Sequence, residues 1–272
     1  MGLRATCNIC VYWRIFCNLY GRLQMNFADF IDSRLWRRAR RRPIFWLDQI
    51  LVKLLPDTAG EFTFFDIGAN HGQTAAKLRA SFPNAQIVCF EPIAELAAAM
   101  KDKFKGDGRI TVENLAVSDE TREKVPFHIN SFDQASSILP LQADGAYTRR
   151  GMNTVASTSV GVTSVADYCK LHGISKIDFM KIDVQGLCRE VLDGAHALLE
   201  RRAVSILQAE YLFSDYYVRR DSFFEIERRL IPNGYHLFTL IETDTDLVGS
   251  GYIDKNTGQL CHLDAIYVSG AN

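Results

Sequence analysis

The sequence predicts an α/β layered fold around a mostly parallel sheet, and three observations carry that prediction. From residue 61 onward, short apolar segments alternate with helical stretches of about ten residues, the rhythm of parallel βαβ units. The first apolar segment ends in a glycine-bearing turn, Asp66-Ile67-Gly68-Ala69-Asn70-His71-Gly72. The last two apolar segments are separated by a turn-rich stretch with no clear helix, which suggests an antiparallel, hairpin-like end to the sheet.

Taken in order, residues 62–67 form the first strand, and Gln73–Ser81 a helix that must stop before Pro83. Residues 86–91 are a second strand. Pro92 opens the next helix, at a position where its missing N–H does no harm, and the Ala-rich stretch 93–104 continues it. Residues 109–115 are a third strand. The segment 116–163 breaks the rhythm, being rich in Ser, Asp, Thr, Gly and Asn with one plausible strand at 124–129. It reads as an insertion near the carboxyl edge of the sheet, where substrate-contacting loops gather. A helix at 163–172, a very apolar strand at 177–182, a helix at 188–200 and a strand at 204–210 follow. A helix at 223–230 and strands at 235–241 and 263–268 complete the chain.

Composition is that of a globular enzyme: 47% hydrophobic and 23% charged residues among 272, which argues against disorder or a repeat array. The net charge of −1 argues against a nucleic-acid partner for the molecule as a whole. That total hides an asymmetry. Residues 1–60 carry ten Lys and Arg against four Asp, whereas the other 212 residues carry 21 basic against 28 acidic side chains. A basic, mainly helical extension at 1–60 is therefore expected ahead of a main domain at 61–272. Within the extension, residues 34–42 hold only Leu35, Trp36 and Ala39 besides Arg. Such a run suits either a solvated helix face or a peripheral contact with anionic lipid. No uncharged stretch is long enough to span a bilayer, and a cytoplasmic, at most membrane-peripheral, location is expected. The seven cysteines fit a reducing compartment; Cys89 reads as a buried thiol, and Cys7, Cys10 and Cys17 lack a fourth ligand at structural-zinc spacing, so no metal is expected.

Chemistry concentrates at the strand tips. A dinucleotide-binding loop would need glycine at 68, 70 and 73, and Asn70 and Gln73 disfavour it. Asp66 ahead of Gly68 suits a ligand with an ammonium group rather than a phosphate. Glu91, at the tip of the second strand, is placed to accept both hydroxyls of a ribose, or to act as a helix N-terminal acid. Asn114-Leu115-Ala116-Val117-Ser118-Asp119 closes the third strand and could flank an adenine. Asp183, in Lys181-Ile182-Asp183-Val184-Gln185-Gly186, should face the same crevice as Asp66.

These segments, with Ala135-Ser136-Ser137-Ile138, Glu190-Val191-Leu192-Asp193-Gly194-Ala195 and Asp264-Ala265-Ile266-Tyr267-Val268, resemble the ordered motifs of FkbM-type methyltransferases over residues 62–268. The resemblance implies a Rossmann-like class I fold with a mostly parallel seven-stranded sheet and an antiparallel end strand. It also implies S-adenosylmethionine as cofactor. By position, Asp66, Gly68, Asn70 and Gly72 would line its methionine end, Glu91 with Pro92 its ribose, and Asn114 with Ala116 its adenine, with Asp183 close by. The expected activity is O-methylation of a hydroxyl on a sugar, glycan or related small metabolite. Methyl transfer to a hydroxyl calls for a general base; Asp183 is the first candidate, Glu210 the second, and His71, equally readable as a solvent-facing turn residue, the third. Cys188 stands where the family often has Glu. That departure alone supports the competing reading, a catalytically inert cofactor-binding module tethered to a membrane glycan-assembly system. Acceptor specificity would reside in 120–160 and 211–222, with Tyr211, Tyr216 and Tyr217 able to stack on a sugar face. Neither the acceptor nor the oligomeric state follows from the sequence.

Overall fold

A computed structural model describes residues 47–55, 57–241 and 261–270. Residues 1–46, with the basic run 34–42, lie outside this set. Helix α1 (Leu47–Leu54) precedes β1 (Thr63–Ile67), α2 (Gln73–Ser81), β2 (Gln86–Phe90), α3 (Ala94–Lys103), β3 (Ile110–Glu113), β4 (Ala116–Ser118), β5 (Arg122–Asn130) and β6 (Thr154–Ser164). Then come α4 (Val165–His172), β7 (Ile177–Ile182), α5 (Cys188–Gly194), α6 (His196–Glu200), β8 (Val204–Leu212), α7 (Phe223–Leu230), β9 (Tyr235–Ile241) and β10 (His262–Ser269).

Seven strands form one sheet in the order β3-β2-β1-β7-β8-β10-β9. The first five are parallel, and β10 enters antiparallel to both β8 and β9. The expected mostly parallel, Rossmann-like sheet with an antiparallel end is therefore present. Strand order reverses between β1 and β7, and in such sheets ligands bind beyond the carboxyl ends at that switch.

The pleat explains where the core stops and the site starts. Register pairs Phe64 with Phe179 and Phe179 with Ile206, all on one face and all fully or almost fully buried under α1 and α2 with Ile50, Leu51 and Leu78. Burying a side chain of this size contributes about 1.5–3 kcal/mol. Two residues further along the same face the row turns polar: Asp66 pairs with Lys181, and Lys181 with Gln208. The next row holds Asp183, Glu210 and Asp264, the last two in register with each other. The opposite face stays apolar throughout, with Phe65, Met180, Leu207 and Tyr267 buried.

Segment 116–163 departs from the expectation of a loop with one strand. It contains a second sheet, β4-β6-β5, in which the eleven-residue β6 is the longest strand described. Its first six residues, Thr154–Ser159, are all exposed, so neither apolar alternation nor an apolar run marks them. The helix read at 188–200 is two, α5 and α6, meeting at Ala195.

Candidate active site

The turn after β1 is built by backbone contacts that require small or unusual residues. Gly68 N–H and Ala69 N–H both donate to the Phe90 carbonyl at 3.0 Å, tying β1 to β2. Gly68 has φ +82°, and a Cβ there would lie 1.9 Å from the Asp183 carbonyl oxygen, so only glycine lets β1 and β7 close together. Asn70 also takes positive φ, +48°. Its N–H donates to Glu91 Oε2 at 2.8 Å, while Ile93 N–H donates to Oε1 at 2.8 Å. Glu91 thus joins two strand-tip loops, combining the helix N-terminal role with exposure of its remaining lone pairs to the cavity. Burial pushes its carboxyl up to about 7 despite those two N–H donors. Asn114 Nδ2 donates to the carbonyls of Glu91 and Pro92 at 3.0 Å each, holding that loop from outside.

The polar rows form a connected chain. Lys181 Nζ lies 3.0 Å from Asp183 Oδ2 and 3.7 Å from Asp66 Oδ1. Gln185 Nε2 donates to Asp183 Oδ1 and to Glu210 Oε2, each at 2.9 Å. The Tyr217 hydroxyl, 2.9 Å from Gln185 Oε1 and 2.8 Å from the Ala135 carbonyl, holds the amide in that orientation, and Ser137 Oγ donates to the Gln185 carbonyl. Gln185 has φ +53°. A non-glycine residue in that region costs about 1–3 kcal/mol, and such strain gathers at functional sites.

Charge is distributed unevenly along this chain. Burial raises Asp66, against the pull of Lys181. Burial and the neighbouring Asp183 hold Glu210 well above the ordinary carboxylate range. Burial acts the same way on Asp183, but the Lys181 ammonium and the Gln185 hydrogen bond outweigh it and leave Asp183 low. Burial disfavours the Lys181 ammonium, yet Asp183 and Asp66 keep it protonated. The chain thus sets one acid held low, Asp183, against two held high, Asp66 and Glu210, around a single ammonium.

A cavity of about 600 Å³ opens over this chain and the β1–β2 tips. Of the residues expected from sequence, Gly68, Asn70, Glu91, Pro92, Ala116, Asp183 and Glu210 line it. Asp66, Gly72, Asn114 and His71 do not. Asp66 lies fully buried one row below and acts through Lys181. Gly72 caps α2, and His71 faces outward with Nε2 2.8 Å from Asp133 Oδ2. Tyr211 points into the opposite core, its hydroxyl 2.6 Å from that of Tyr267. Tyr216 and Tyr217 are buried and pack against Tyr147, and it is Tyr147 that lines the cavity. Cys188 is buried with Val191 and Leu192, away from the lining. Lys181, Gln185, Gln208 and Asp264 also line the cavity without having been assigned a role from sequence. Gln208 and Glu210 carried a signal, polar residues two apart in the otherwise apolar end of β8.

These residues fit S-adenosylmethionine. Asn70 Oδ1 is a buried acceptor with no hydrogen-bond partner, suited to an ammonium donor. Glu91 offers acceptors for ribose hydroxyls, and Ile93, Leu115, Val117 and Phe127 line an apolar wall for a base.

The 2-O-methyltransferase NoeI of Sinorhizobium fredii is 26% identical over 142 residues, covering 50% of this chain and 58% of that protein. The chain thus matches less than two thirds of that relative's length. Among solved structures, the fibrillarin pre-rRNA processing protein of Methanococcus jannaschii is 11% identical, covering 79% of this chain and 69% of its own, with a TM-score of 0.41. The carbon methyltransferase CurJ is 9% identical, covering 83% and 53%, with a TM-score of 0.45. The profile described as "Methyltransferase FkbM domain" matches residues 66–237, well over half of the chain, and the protein belongs to that family.

Proposed function

We propose that the protein is an S-adenosylmethionine-dependent O-methyltransferase acting on a hydroxyl of a sugar, a glycan or a related small metabolite. The observation that carries this reading is the Lys181–Asp183–Gln185–Glu210 chain on the floor of the cavity whose rim holds Glu91 and Asn70. The printed name of NoeI, a 2-O-methyltransferase, supports an oxygen acceptor.

When bound, the cofactor supplies a methyl group on a sulfonium, already activated for transfer. The residues of this chain do the rest. Asn70 and Glu91 hold and orient, and Asp183, kept ionised by Lys181, takes the proton of the acceptor hydroxyl as its oxygen attacks. Burial and Asp183 disfavour the ionised form of Glu210, which leaves Asp183 as the first base. Gln185 fixes the spacing between the two acids. Cys188, buried away from the cavity, removes no group from this machinery, and so the inert-module reading has no support in the site.

The basic stretch 34–42 is proposed to touch anionic lipid, leaving the enzyme cytoplasmic and membrane-peripheral. No helix among the described residues is long and apolar enough to cross a membrane. Among the described residues, Cys89, Cys169, Cys188 and Cys261 are in no disulfide, as a reducing compartment allows.

The test is titration of the full-length protein with S-adenosylmethionine, followed by transfer of a labelled methyl group to glycan fractions. Micromolar binding and a base-stable label on carbohydrate are expected. No binding at high micromolar cofactor would sink the proposal.

A further inference from the structure

Gln208 has no role in the chemistry above, and its situation is unusual. It sits in β8, in register with Lys181 on one side and Ile266 on the other. Its side chain is fully buried, neither Nε2 nor Oε1 has a hydrogen-bond partner, and it lines the cavity. A buried amide left without partners is costly, and in a folded protein such a group calls for an explanation. Along β8 its neighbours on that face are Ile206, which is apolar, and Glu210, which is engaged by Gln185, and Lys181 across the strand is turned to Asp183 and Asp66.

We propose that Gln208 anchors the methyl acceptor, and that the acceptor is a neutral carbohydrate with vicinal hydroxyls. This rests on the methyltransferase reading and sharpens it. A primary amide presents N–H donors and carbonyl lone pairs side by side in one plane. Two adjacent hydroxyls complement that pattern, one accepting from Nε2 and the other donating to Oε1. Gln208 belongs to the row next to the one carrying Asp183 and Glu210, so a hydroxyl held there leaves its neighbour on the sugar ring facing the base. The lining disfavours an anionic acceptor: Asp133, Asp183 and Asp264, with Glu91 and Glu210 beside them, outnumber the two lysines, Lys77 and Lys181.

The experiment uses full-length protein with S-adenosylhomocysteine bound, titrated with millimolar methyl mannoside, methyl galactoside and methyl fucoside, and with methyl glucuronide as an anionic comparison. Wild type is expected to bind at least one neutral glycoside and to bind the glucuronide more weakly. Gln208→Met, close in volume and without hydrogen-bonding groups, should weaken glycoside binding about tenfold or more. Its affinity for S-adenosylhomocysteine should stay within about threefold of wild type. Unliganded Gln208→Met should melt at or above the wild-type temperature, because the amide has no partner in the protein to lose. A fall of several degrees would assign the amide a structural role and overturn the inference. So would glycoside binding indifferent to the substitution, a preference for the glucuronide, or cofactor binding with no glycoside binding at all. Failure of wild type to bind the cofactor would overturn the methyltransferase reading and this inference together.

Discussion

Glu91 makes the cofactor's pH dependence a test of the site. The carboxyl is raised from an ordinary 4.5 to about 7, with burial as the main cause and the N–H groups of Ile93 and Asn70 opposing it. A rise of that size corresponds to about 3 kcal/mol at about 1.4 kcal/mol per tenfold. The sign for stability follows from linkage. The contribution is complete below 4.5, is lost as pH climbs to 7, and is absent above. For cofactor binding the sign reverses, because an ionised carboxylate accepts two ribose hydroxyls whereas the protonated form keeps one oxygen as a donor. The dissociation constant of S-adenosylhomocysteine, measured calorimetrically from pH 5.5 to 8.5, should therefore improve about tenfold per pH unit up to roughly 7 and then level off. Glu91→Gln should remove the break. It should also weaken binding about 10- to 100-fold at pH 8, since its amide places a donor against one of the two backbone N–H groups and offers the ribose fewer acceptors. Glu190, raised by burial to about 6, lies outside the cavity lining and should not imprint its own break. A flat wild-type profile would refute the ribose assignment. A break near 7 that survived in Glu91→Gln would move the titration to another group.

The proton-transfer assignment separates two acids by the kind of damage each removal does. Asp183→Asn should lower kcat about 10²- to 10⁴-fold with cofactor affinity within about threefold, whereas Glu210→Gln, which replaces an acid whose ionised form burial disfavours, should cost much less in steady-state assays. Equal losses would mean that the pair acts as one unit. For the lipid contact, replacing Arg37, Arg38, Arg40, Arg41 and Arg42 by Gln in the full chain should abolish sedimentation with phosphatidylserine vesicles at physiological salt, each Arg contributing about 1 kcal/mol near such a surface. Unchanged sedimentation would leave that run as a solvated helix face.

Much of the fold was legible because its parallel strands are nearly continuous apolar runs. Ile177–Ile182 and Gln86–Phe90 announce themselves, and the antiparallel end follows from the missing crossover before β10. The polar sheet β4-β6-β5 was not legible, since β6 is mostly Ser, Thr and Val and half exposed, and its pairing is set by β4 and β5 rather than by its own pattern. At the site, Gly68, Asn70, Glu91, Asp183 and Glu210 were readable from strand-tip position. Asp66 and Tyr211 show the limit of that reading. Each occupies a site-like position in the chain, but the pleat turns Asp66 beneath Lys181 and Tyr211 toward the other core. Facing depends on register with the neighbouring strand, which one chain's local sequence does not specify.

Placing three acids around one lysine has a consequence that any single pair would not. Lys181 holds Asp183 low while burial raises Asp66 and Glu210, so the buried ammonium has a carboxylate partner and avoids the cost of an isolated ion. One lysine can hold one carboxylate low, and geometry decides which. Asp183 lies 0.7 Å closer to Lys181 than Asp66 does, at 3.0 against 3.7 Å, and it alone receives the Gln185 amide on its other oxygen. Gln185 donates to Glu210 through the same nitrogen, so its strained backbone and its Tyr217 contact hold the low and the high acid side by side. A proton taken by Asp183 leaves the Lys181 ammonium without its carboxylate partner, so release of that proton restores the pair. Had Gln185 been a second Glu, the chain would hold an additional acid with no cation to offset it. Repulsion from that acid would then raise Asp183 and work against the ionised form that takes the acceptor's proton.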